Sequence, residues 1–200
     1  MKSLVLASNN QGKVREFNAL LSDLGFEVFP QGHFNIPSVE ETGLTFVENA
    51  ILKARAACQA TNLPALADDS GIEIDALKGA PGIYSARFAG ENATDEQNNQ
   101  LLLEKLKETP QEQRTARYQC ILVYMRHALD PTPLICQGTW EGTILFEPRG
   151  NHGFGYDPLF YVSEYNCSSA ELSPEIKNTL SHRGKALHLL HEQLLTRNLG

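Results

Sequence analysis

Two adjacent carboxylates, Asp68 and Asp69, end a short apolar run and are followed at once by a Ser-Gly pair. Like charges side by side repel each other, so a fold that keeps them together usually has a cation to bind or a proton to move. A solvated turn is the alternative for any such pair. Glu40 and Glu41, which would lie in a loop, could be solvated or could complete with the aspartates an oxygen-ligand set for Mg²⁺.

A polar turn at residues 8–13 separates a predicted strand, Leu4–Ala7, from a predicted amphipathic helix. The amides and the dipole at such a helix N-terminus attract phosphate. Only Gly12-Lys13 of the GxxxxGK[ST] pattern is present, so the turn does not predict a P-loop NTPase. Lys13 is unfavourable in a first helical turn unless an anion lies between it and the amides. Phosphate binding is therefore predicted for Ser8, Asn9, Asn10, Gln11, Gly12 and Lys13.

An aromatic residue and several donors stand far downstream, the first of them in a long predicted loop at residues 147–157. Phe154 lies between two glycines, which suits a ring held out to stack on a nucleobase; a core aromatic in a tight loop is the alternative. His182 and Arg183 begin a predicted helix and are poorly placed there unless they face an acceptor. Acidic residues for a metal ion, basic residues for phosphates and an aromatic ring for a nucleobase together predict a nucleotide site.

The composition limits the possible classes of protein. The chain has 200 residues, 42% of them hydrophobic, which predicts a single domain over residues 1–200 built as two lobes. A formal net charge of −7 argues against nucleic acid as a partner. The apolar start is too short for a signal peptide, and no apolar run approaches the ~20 residues of a membrane span. Four scattered cysteines predict neither zinc nor disulfides, so we expect a soluble cytoplasmic protein without a membrane partner.

The hydrophobic periodicity predicts a mixed α/β sheet with helices on its faces. The chain opens as a strand-helix-strand unit that ends with a strand at Phe26–Phe29. A capping box at Thr45 begins a second helix, on whose mostly apolar face Lys53 either reaches solvent or points into the site. Further strands are predicted at Leu63–Ala67 and Ile72–Asp75 around the acidic turn, at Arg117–His127, and as a hairpin-like pair at Leu134–Thr139 and Gly142–Phe146. Further helices are predicted to begin at Thr94 or Asp95, at Ser173-Pro174 and after Ser181.

Several long motifs in a fixed order resemble the inosine/xanthosine triphosphate pyrophosphatases, house-cleaning enzymes for aberrant purine nucleoside triphosphates. The likeness runs over nearly the whole chain, and it departs from many members at Asn9, where they carry glycine. The motifs are Ser8, Asn10 and Lys13 in the first turn, Glu40-Glu41-Thr42-Gly43, Phe46-Val47-Glu48-Asn49-Ala50, Ala67-Asp68-Asp69-Ser70-Gly71, residues 79–87, residues 153–158 and Ser181-His182-Arg183-Gly184.

The resemblance implies an ITPase/Maf-like fold: a two-lobed α/β structure with a long twisted mixed sheet, flanking helices and a nucleotide cleft between the lobes. It also implies a homodimer that hydrolyses ITP, dITP and XTP to the monophosphate and pyrophosphate with Mg²⁺. The implied metal ligands are Glu40, Asp68 and Asp69, with Asp69 also the general base and Ser70 beside the substrate. The implied phosphate ligands are residues 8–13 and Lys177. Phe154 would stack on the base, with Gly155, Tyr156 and Asp157 near it, and His182 and Arg183 would read its edge.

Two other functions are consistent with parts of this pattern. A Maf-like nucleotide pyrophosphatase would have a similar fold but prefer pyrimidine or modified nucleotides; the Ser181-His182-Arg183 sequence favours the purine interpretation. A catalytically silent nucleotide sensor would keep the phosphate turn and lose the acidic cluster, whereas Glu40, Asp68 and Asp69 are all present.

Overall fold

The computed structural model describes residues 1–197 and residue 199. Within them short 3-10 helices lie in several of the connections between the α-helices and strands. The elements are β1 Lys2–Leu6, α1 Gln11–Leu21, β2 Phe26–Pro30, α2 Phe46–Thr61, β3 Ala65–Ile74, α3 Asp95–Lys105, β4 Thr115–Met125, β5 Leu134–Ile144, β6 Phe160–Val162, β7 Cys167–Ser168, α4 Pro174–Leu180 and α5 His182–Thr196.

The strands form one seven-stranded sheet in the order β2-β1-β3-β4-β5-β6-β7. β1 runs parallel to β2 and β3, whereas β6 runs antiparallel to β5 and β7. The predicted mixed sheet flanked by helices is therefore confirmed. The chain divides into two compact units: unit 1 comprises residues 1–69, 120–138 and 185–200, and unit 2 comprises residues 70–119 and 139–184.

Unit 1 packs helices on both faces of its strands. Because successive side chains of a strand point to opposite faces, Leu4 and Leu6 of β1 enter one core while Val5 enters another. The first core also contains Phe17 of α1 and Leu190 of α5, and the second contains the small apolar residues of α2. Since β1 is covered on both faces there, its residues 4–6 are all apolar and buried. Among the described residues, no helix combines the length and the apolar character that a membrane span needs.

Unit 2 contains a buried arginine at the start of β4. Arg114 is 1% exposed and donates from its guanidinium to the main-chain oxygens of Thr109, Leu145 and Leu106 at 3.0, 3.1 and 2.7 Å. Its Cζ lies 3.8 Å from the centre of the Phe146 ring. A buried cation is costly unless its donors are satisfied, and here three carbonyls and an aromatic face satisfy them. Arg114 thus ties the chain after α3 to the chain after β5.

We expect Arg114→Met to lower the free energy of unfolding by about 2–4 kcal/mol, because three buried carbonyls lose their donors. The matched control is Arg117→Met in β4, three residues further along the chain. Arg117 pairs with Asp75 and Glu141, whose side chains are largely exposed, so its loss should cost less than about 1 kcal/mol. Denaturant unfolding of both variants measures the difference, and equal midpoints would contradict a structural role for Arg114.

The prediction of an acidic turn between two strands is wrong. Asp68 and Asp69 lie inside β3, which continues without interruption from Ala65 to Ile74. Two acidic residues, a serine and a glycine suggest a turn when each is taken alone. In the fold, lysines neutralise both carboxylates. The main chain can therefore stay hydrogen-bonded in the sheet between β1 and β4 instead of forming a turn.

The predicted hairpin at residues 134–146 is also wrong, because β5 is one strand from Leu134 to Ile144. The second predicted strand began at Gly142. In the structure this glycine marks a close approach instead: a Cβ there would lie 2.6 Å from the Phe160 ring and from the main-chain oxygen of Tyr161. β5 pairs with β6, and β6 with β7, two short strands that the sequence patterns did not predict.

Candidate active site

Two lysines of unit 1 neutralise the adjacent aspartates of β3. Lys13, in the first turn of α1, places its Nζ 3.2 Å from Oδ2 of Asp68, whose side chain is fully buried. Lys53, on α2, donates to Oδ1 of Asp69 at 2.7 Å, to the main-chain oxygen of Asp68 at 3.0 Å and to Glu41 at 2.9 Å. The two alternatives for Lys53 are thus resolved, because its ammonium points into the site. The unfavourable position of Lys13 at a helix N-terminus is offset by Asp68.

Burial and charge pairing shift the pKa values of this group. Burial raises the pKa of Asp69 above its ordinary value, although the nearby charge of Lys53 acts in the opposite direction. Burial alone would lower the pKa of Lys53, but attraction to Asp69 and hydrogen bonds to Asp69 and Glu41 outweigh it, and the pKa is raised. The second oxygen of Asp69, Oδ2, is buried and has no hydrogen-bond partner among the described residues. Lys53 therefore fixes one oxygen of Asp69, and no described residue uses the hydrogen-bonding capacity of the other.

A cavity of about 300 Å³ opens beside these charges within unit 1. Such a volume is at the lower end of what small-molecule sites have. Its lining includes residues from the first turn, the loop before α2, α2 itself and β3, among them Ser8, Asn9, Lys13, Glu41, Lys53 and Asp68. The structure thus brings part of the predicted phosphate turn and part of the predicted acidic group to one cavity.

The first turn uses much of its hydrogen-bonding capacity within the protein. Asn10 caps α1, and its Oδ1 accepts from the amides of Gly12 and Lys13 at 2.9 and 3.1 Å. The Oδ1 of Asn9 accepts from the Gly32 amide at 2.7 Å, which ties the turn to the segment after β2. Two amides that the sequence offered to phosphate are therefore occupied by Asn10 in this structure, and the cationic group of the turn is Lys13.

The two glutamates before α2 differ in their surroundings. Glu41 bonds Lys53, whereas the side chain of Glu40 is exposed. Among the described residues, no group of three or more His, Cys, Asp or Glu side chains is arranged to hold a metal ion. Asp68 and Asp69 are thus two neighbouring carboxylates without a third grouped protein ligand within the described part of the chain. Ser70, next in β3, is half-buried.

In unit 2, Phe154 presents an exposed ring beside two cations. The residue is 63% exposed, with Lys177 Nζ 5.3 Å and Arg183 Cζ 6.0 Å from the ring centre. Gly153 has φ +81°, and a Cβ there would lie 2.1 Å from Oδ2 of Asp157, so only glycine fits the approach. The exposed ring contradicts the core interpretation of Phe154, and stacking on a nucleobase stays a prediction.

Asp157 is a buried carboxylate that anchors the loop carrying Phe154. It is 3% exposed, and Oδ2 accepts from the Phe154 amide at 2.8 Å and is paired with Lys177. Oδ1 accepts from Ser169 Oγ at 2.9 Å and lies 3.5 Å from the Tyr118 hydroxyl. Both oxygens are thus engaged by protein donors. The side chain of Tyr156 is buried, and its hydroxyl donates to the main-chain oxygen of Ser85 at 2.7 Å.

His182 lies in an aromatic stack at the start of α5. Its ring is 4.7 Å from that of Tyr118 with an interplanar angle of 10°, and Tyr118 stacks in turn on Trp140. Ser181 caps the helix as predicted, with its Oγ accepting from the Gly184 amide at 3.1 Å. Burial raises the pKa of the Tyr118 hydroxyl well above its ordinary value, so this member of the stack is uncharged.

The sequence patterns named Glu41 and Asp157 but did not predict their contacts. Glu41, rather than Glu40, bonds the lysine of α2, and Asp157 is a buried anchor for the Phe154 amide. A signal for the first existed, because Lys53 on an apolar helix face needs a carboxylate partner once it is buried. No local pattern distinguishes the second, since its donors come from three separate segments.

Known proteins resemble this chain over nearly all of its length. A model of the Ham1 family matches residues 4–193. A dITP/XTP pyrophosphatase of Vibrio parahaemolyticus is 62% identical over 194 residues, 97% of each chain, and one of Escherichia coli O157:H7 is 58% identical over 194 residues, 97% of this chain and 98% of that one.

Solved structures agree with these relatives. A HAM1 protein from Coxiella burnetii has a TM-score of 0.95 and 52% identity, covering 98% of this chain and 100% of its own. The Staphylococcus aureus Ham1 protein has a TM-score of 0.91 and 44% identity, with the same coverage. The family resemblance seen in the motifs is confirmed: the chain belongs to the Ham1 family.

Proposed function

We propose that this protein hydrolyses the non-standard purine nucleotides ITP, dITP and XTP to the nucleoside monophosphate and pyrophosphate, using Mg²⁺. Such an activity removes these nucleotides before they enter DNA or RNA. The names of the relatives, dITP/XTP pyrophosphatase at 62% and 58% identity, support the substrate class. The observation that carries the chemistry is Asp69: a buried carboxylate with one oxygen held by Lys53 and the other without a partner among the described residues.

The acidic group fits Mg²⁺ rather than a softer metal. Its possible ligands are carboxylate oxygens, and Mg²⁺ binds through one or two carboxylates together with waters and substrate phosphates. Asp68 and Glu40 would hold the ion as carboxylate ligands, and Asp69, whose Oδ2 is needed for the proton transfer described next, would stay beside the ion with water between them. Phosphate oxygens and water would complete the coordination. When bound, the ion would neutralise charge on the phosphates.

Asp69 would act as the general base, taking a proton from the water that attacks the α-phosphorus. Burial raises the pKa of Asp69 while the nearby charge of Lys53 acts in the opposite direction, and a raised pKa makes the carboxylate a better proton acceptor. Lys13 and the rest of the first turn, Ser8, Asn9, Asn10, Gln11 and Gly12, would bind the phosphates, with Ser70 beside the substrate. Positioning and electrostatics supply most of the acceleration in phosphoryl transfer, so no covalent nucleophile is required.

Residues of unit 2 would bind the base. Phe154 would stack on the purine, and Gly155, Tyr156 and Asp157 would shape the loop that carries it. Lys177, which is paired with Asp157 and lies 5.3 Å from the Phe154 ring centre, would bind the phosphates of the substrate rather than the base. His182 and Arg183 would read the base edge, because a donor there can bond O6 of hypoxanthine or xanthine but not the 6-amino group of adenine.

A product assay tests the proposal. The purified protein is incubated with Mg²⁺ and each of the common and deaminated nucleoside triphosphates, and pyrophosphate and orthophosphate are measured separately. We expect pyrophosphate from ITP, dITP and XTP and little product from the common nucleotides. Release of orthophosphate alone, or equal turnover of pyrimidine nucleotides, would contradict the proposal and favour another nucleotide hydrolase.

Loss of a carboxylate from the metal group should raise the Mg²⁺ requirement. We expect Glu40→Gln and Asp68→Asn each to increase the Mg²⁺ concentration for half-maximal activity by about tenfold, because each removes an anionic oxygen. Glu108→Gln, which neutralises an exposed glutamate elsewhere in the chain, is the control. Titration of Mg²⁺ at saturating ITP measures the effect. An unchanged Mg²⁺ dependence in both variants would exclude these carboxylates from the metal site.

A further inference from the structure

Gly155, the residue after Phe154, has both of its main-chain polar groups bound by side chains of α3. Its amide donates to Oδ2 of Asp95 at 2.6 Å, and its carbonyl oxygen accepts from Nδ2 of Asn99 at 2.9 Å. Asp95 and Asn99 are four residues apart, so they lie on the same face of the helix. We call these two residues the α3 clamp.

The clamp completes a set of restraints around Phe154. The Phe154 amide donates to Asp157, and the Tyr156 side chain is anchored through its hydroxyl to the Ser85 carbonyl. Gly155 itself has φ +60°, a left-handed conformation that glycine adopts without strain. The backbone of residues 154–156 is therefore fixed from three directions, while the ring of Phe154 is exposed. A ring presented on a fixed backbone loses little further freedom when a ligand stacks on it.

The stability of α3 does not explain why the clamp residues are aspartate and asparagine. Thr94 and Gln97 already cap the helix reciprocally, so Asp95 is not required as a cap. Asn99 makes its bond to Gly155 although its own Oδ1 is buried and lacks a hydrogen-bond partner among the described residues. An apolar residue of the same shape would avoid that cost. Packing alone would not select asparagine here.

We propose that Asp95 and Asn99 are positioning residues that hold Phe154 ready to stack on the purine base. The proposal rests on the proposed function, because it takes Phe154 as the base-stacking residue. The clamp acts on the binding of the base and leaves the chemistry at the phosphates unchanged. Its loss should therefore appear in KM and not in kcat.

Steady-state kinetics with ITP test this separation. We expect Asn99→Leu and Asp95→Leu each to raise KM about five- to tenfold with kcat within about twofold of wild type. Asp95→Asn, which keeps an acceptor for the Gly155 amide, should restore most of the KM lost in Asp95→Leu. The dissociation constant of IMP should rise with KM, while inhibition by inorganic pyrophosphate stays unchanged. A general loss of folding would weaken both.

Two further variants distinguish positioning from a local disturbance of the helix. Gln100→Leu places leucine at the adjacent, exposed position of α3 and should leave KM unchanged. In a Phe154→Ala background, Asn99→Leu should have no additional effect on IMP binding, because the residue through which it acts is gone. A wild-type KM in Asn99→Leu, or an equal effect with and without Phe154, would overturn the proposal. Failure of the wild-type protein to hydrolyse ITP would instead refute the proposed function, and the IMP binding cycle would still decide on the clamp.

Discussion

Replacing Asp69 by asparagine is expected to lower kcat for ITP by about 10² or more, the usual contribution of a general base. The substitution keeps the shape of the side chain, and Glu41 remains to balance the buried charge of Lys53. Fold and nucleotide affinity should therefore be retained. Asp75→Asn is the control, since Asp75 follows the same strand but pairs at the surface with Arg117. Near wild-type turnover in a folded Asp69→Asn protein would refute the assignment.

The pH dependence of kcat is a second test of Asp69 as the general base. Burial raises the pKa of Asp69, and a base is active only when deprotonated, so kcat should fall as the pH decreases through that raised pKa. The acidic limb should start at a higher pH than an exposed aspartate would produce. It should be absent from the residual activity of Asp69→Asn. An identical acidic limb in the variant would assign the titration to another group.

Removal of the Arg183 side chain is expected to erode discrimination between ITP and ATP by about tenfold or more. Arg183, and His182 when its ring donates, would bond the 6-oxygen of hypoxanthine or xanthine, whereas the 6-amino group of adenine would leave these donors unpaired. Buried polar groups left unpaired are an effective way to reject an analogue. Guanine also has a 6-oxygen, so exclusion of GTP must depend on a donor or a steric barrier near its 2-amino group.

The ratio of kcat/KM for ITP to that for ATP, measured in wild type and in Arg183→Ala, tests this account of selectivity. Arg117→Ala removes an arginine that is already paired with Asp75 and Glu141 and should leave the ratio unchanged. The Mg²⁺ dependence should change less than the selectivity in Arg183→Ala. An unchanged ratio in that variant would place base recognition elsewhere.

Features encoded by short-range physics were predictable from the sequence. The cap of α2 at Thr45 and the cap of α5 at Ser181 form as the residue types indicate, because a cap depends on neighbours only two or three residues away. The opening strand-helix-strand unit follows from its apolar periodicity. The predicted mixed sheet with flanking helices is confirmed, although its two short strands β6 and β7 were not predicted.

The failures concern residues whose partners are distant in sequence. Asp68 and Asp69 suggested a turn, because two adjacent carboxylates are unfavourable in a sheet unless they are neutralised. The lysines that neutralise them come from α1 and α2, which are distant in sequence. The residues of β5 were predicted as a hairpin-like pair, since the close approach of Gly142 to Phe160 cannot be seen in the local sequence. The α3 clamp joins Gly155 to Asn99 and Asp95, which lie 56 and 60 positions before it in the sequence, and no spacing rule connects them.

The central claim is that water attacks the α-phosphorus of a non-standard purine triphosphate, and hydrolysis of ITP in ¹⁸O-labelled water tests it most directly. Attack at the α-phosphorus places the label in IMP and leaves the released pyrophosphate unlabelled, and mass spectrometry distinguishes the two products. We expect labelled IMP. Label in pyrophosphate would mean attack at the β-phosphorus, and labelled orthophosphate would mean attack at the γ-phosphorus; either result would contradict the account.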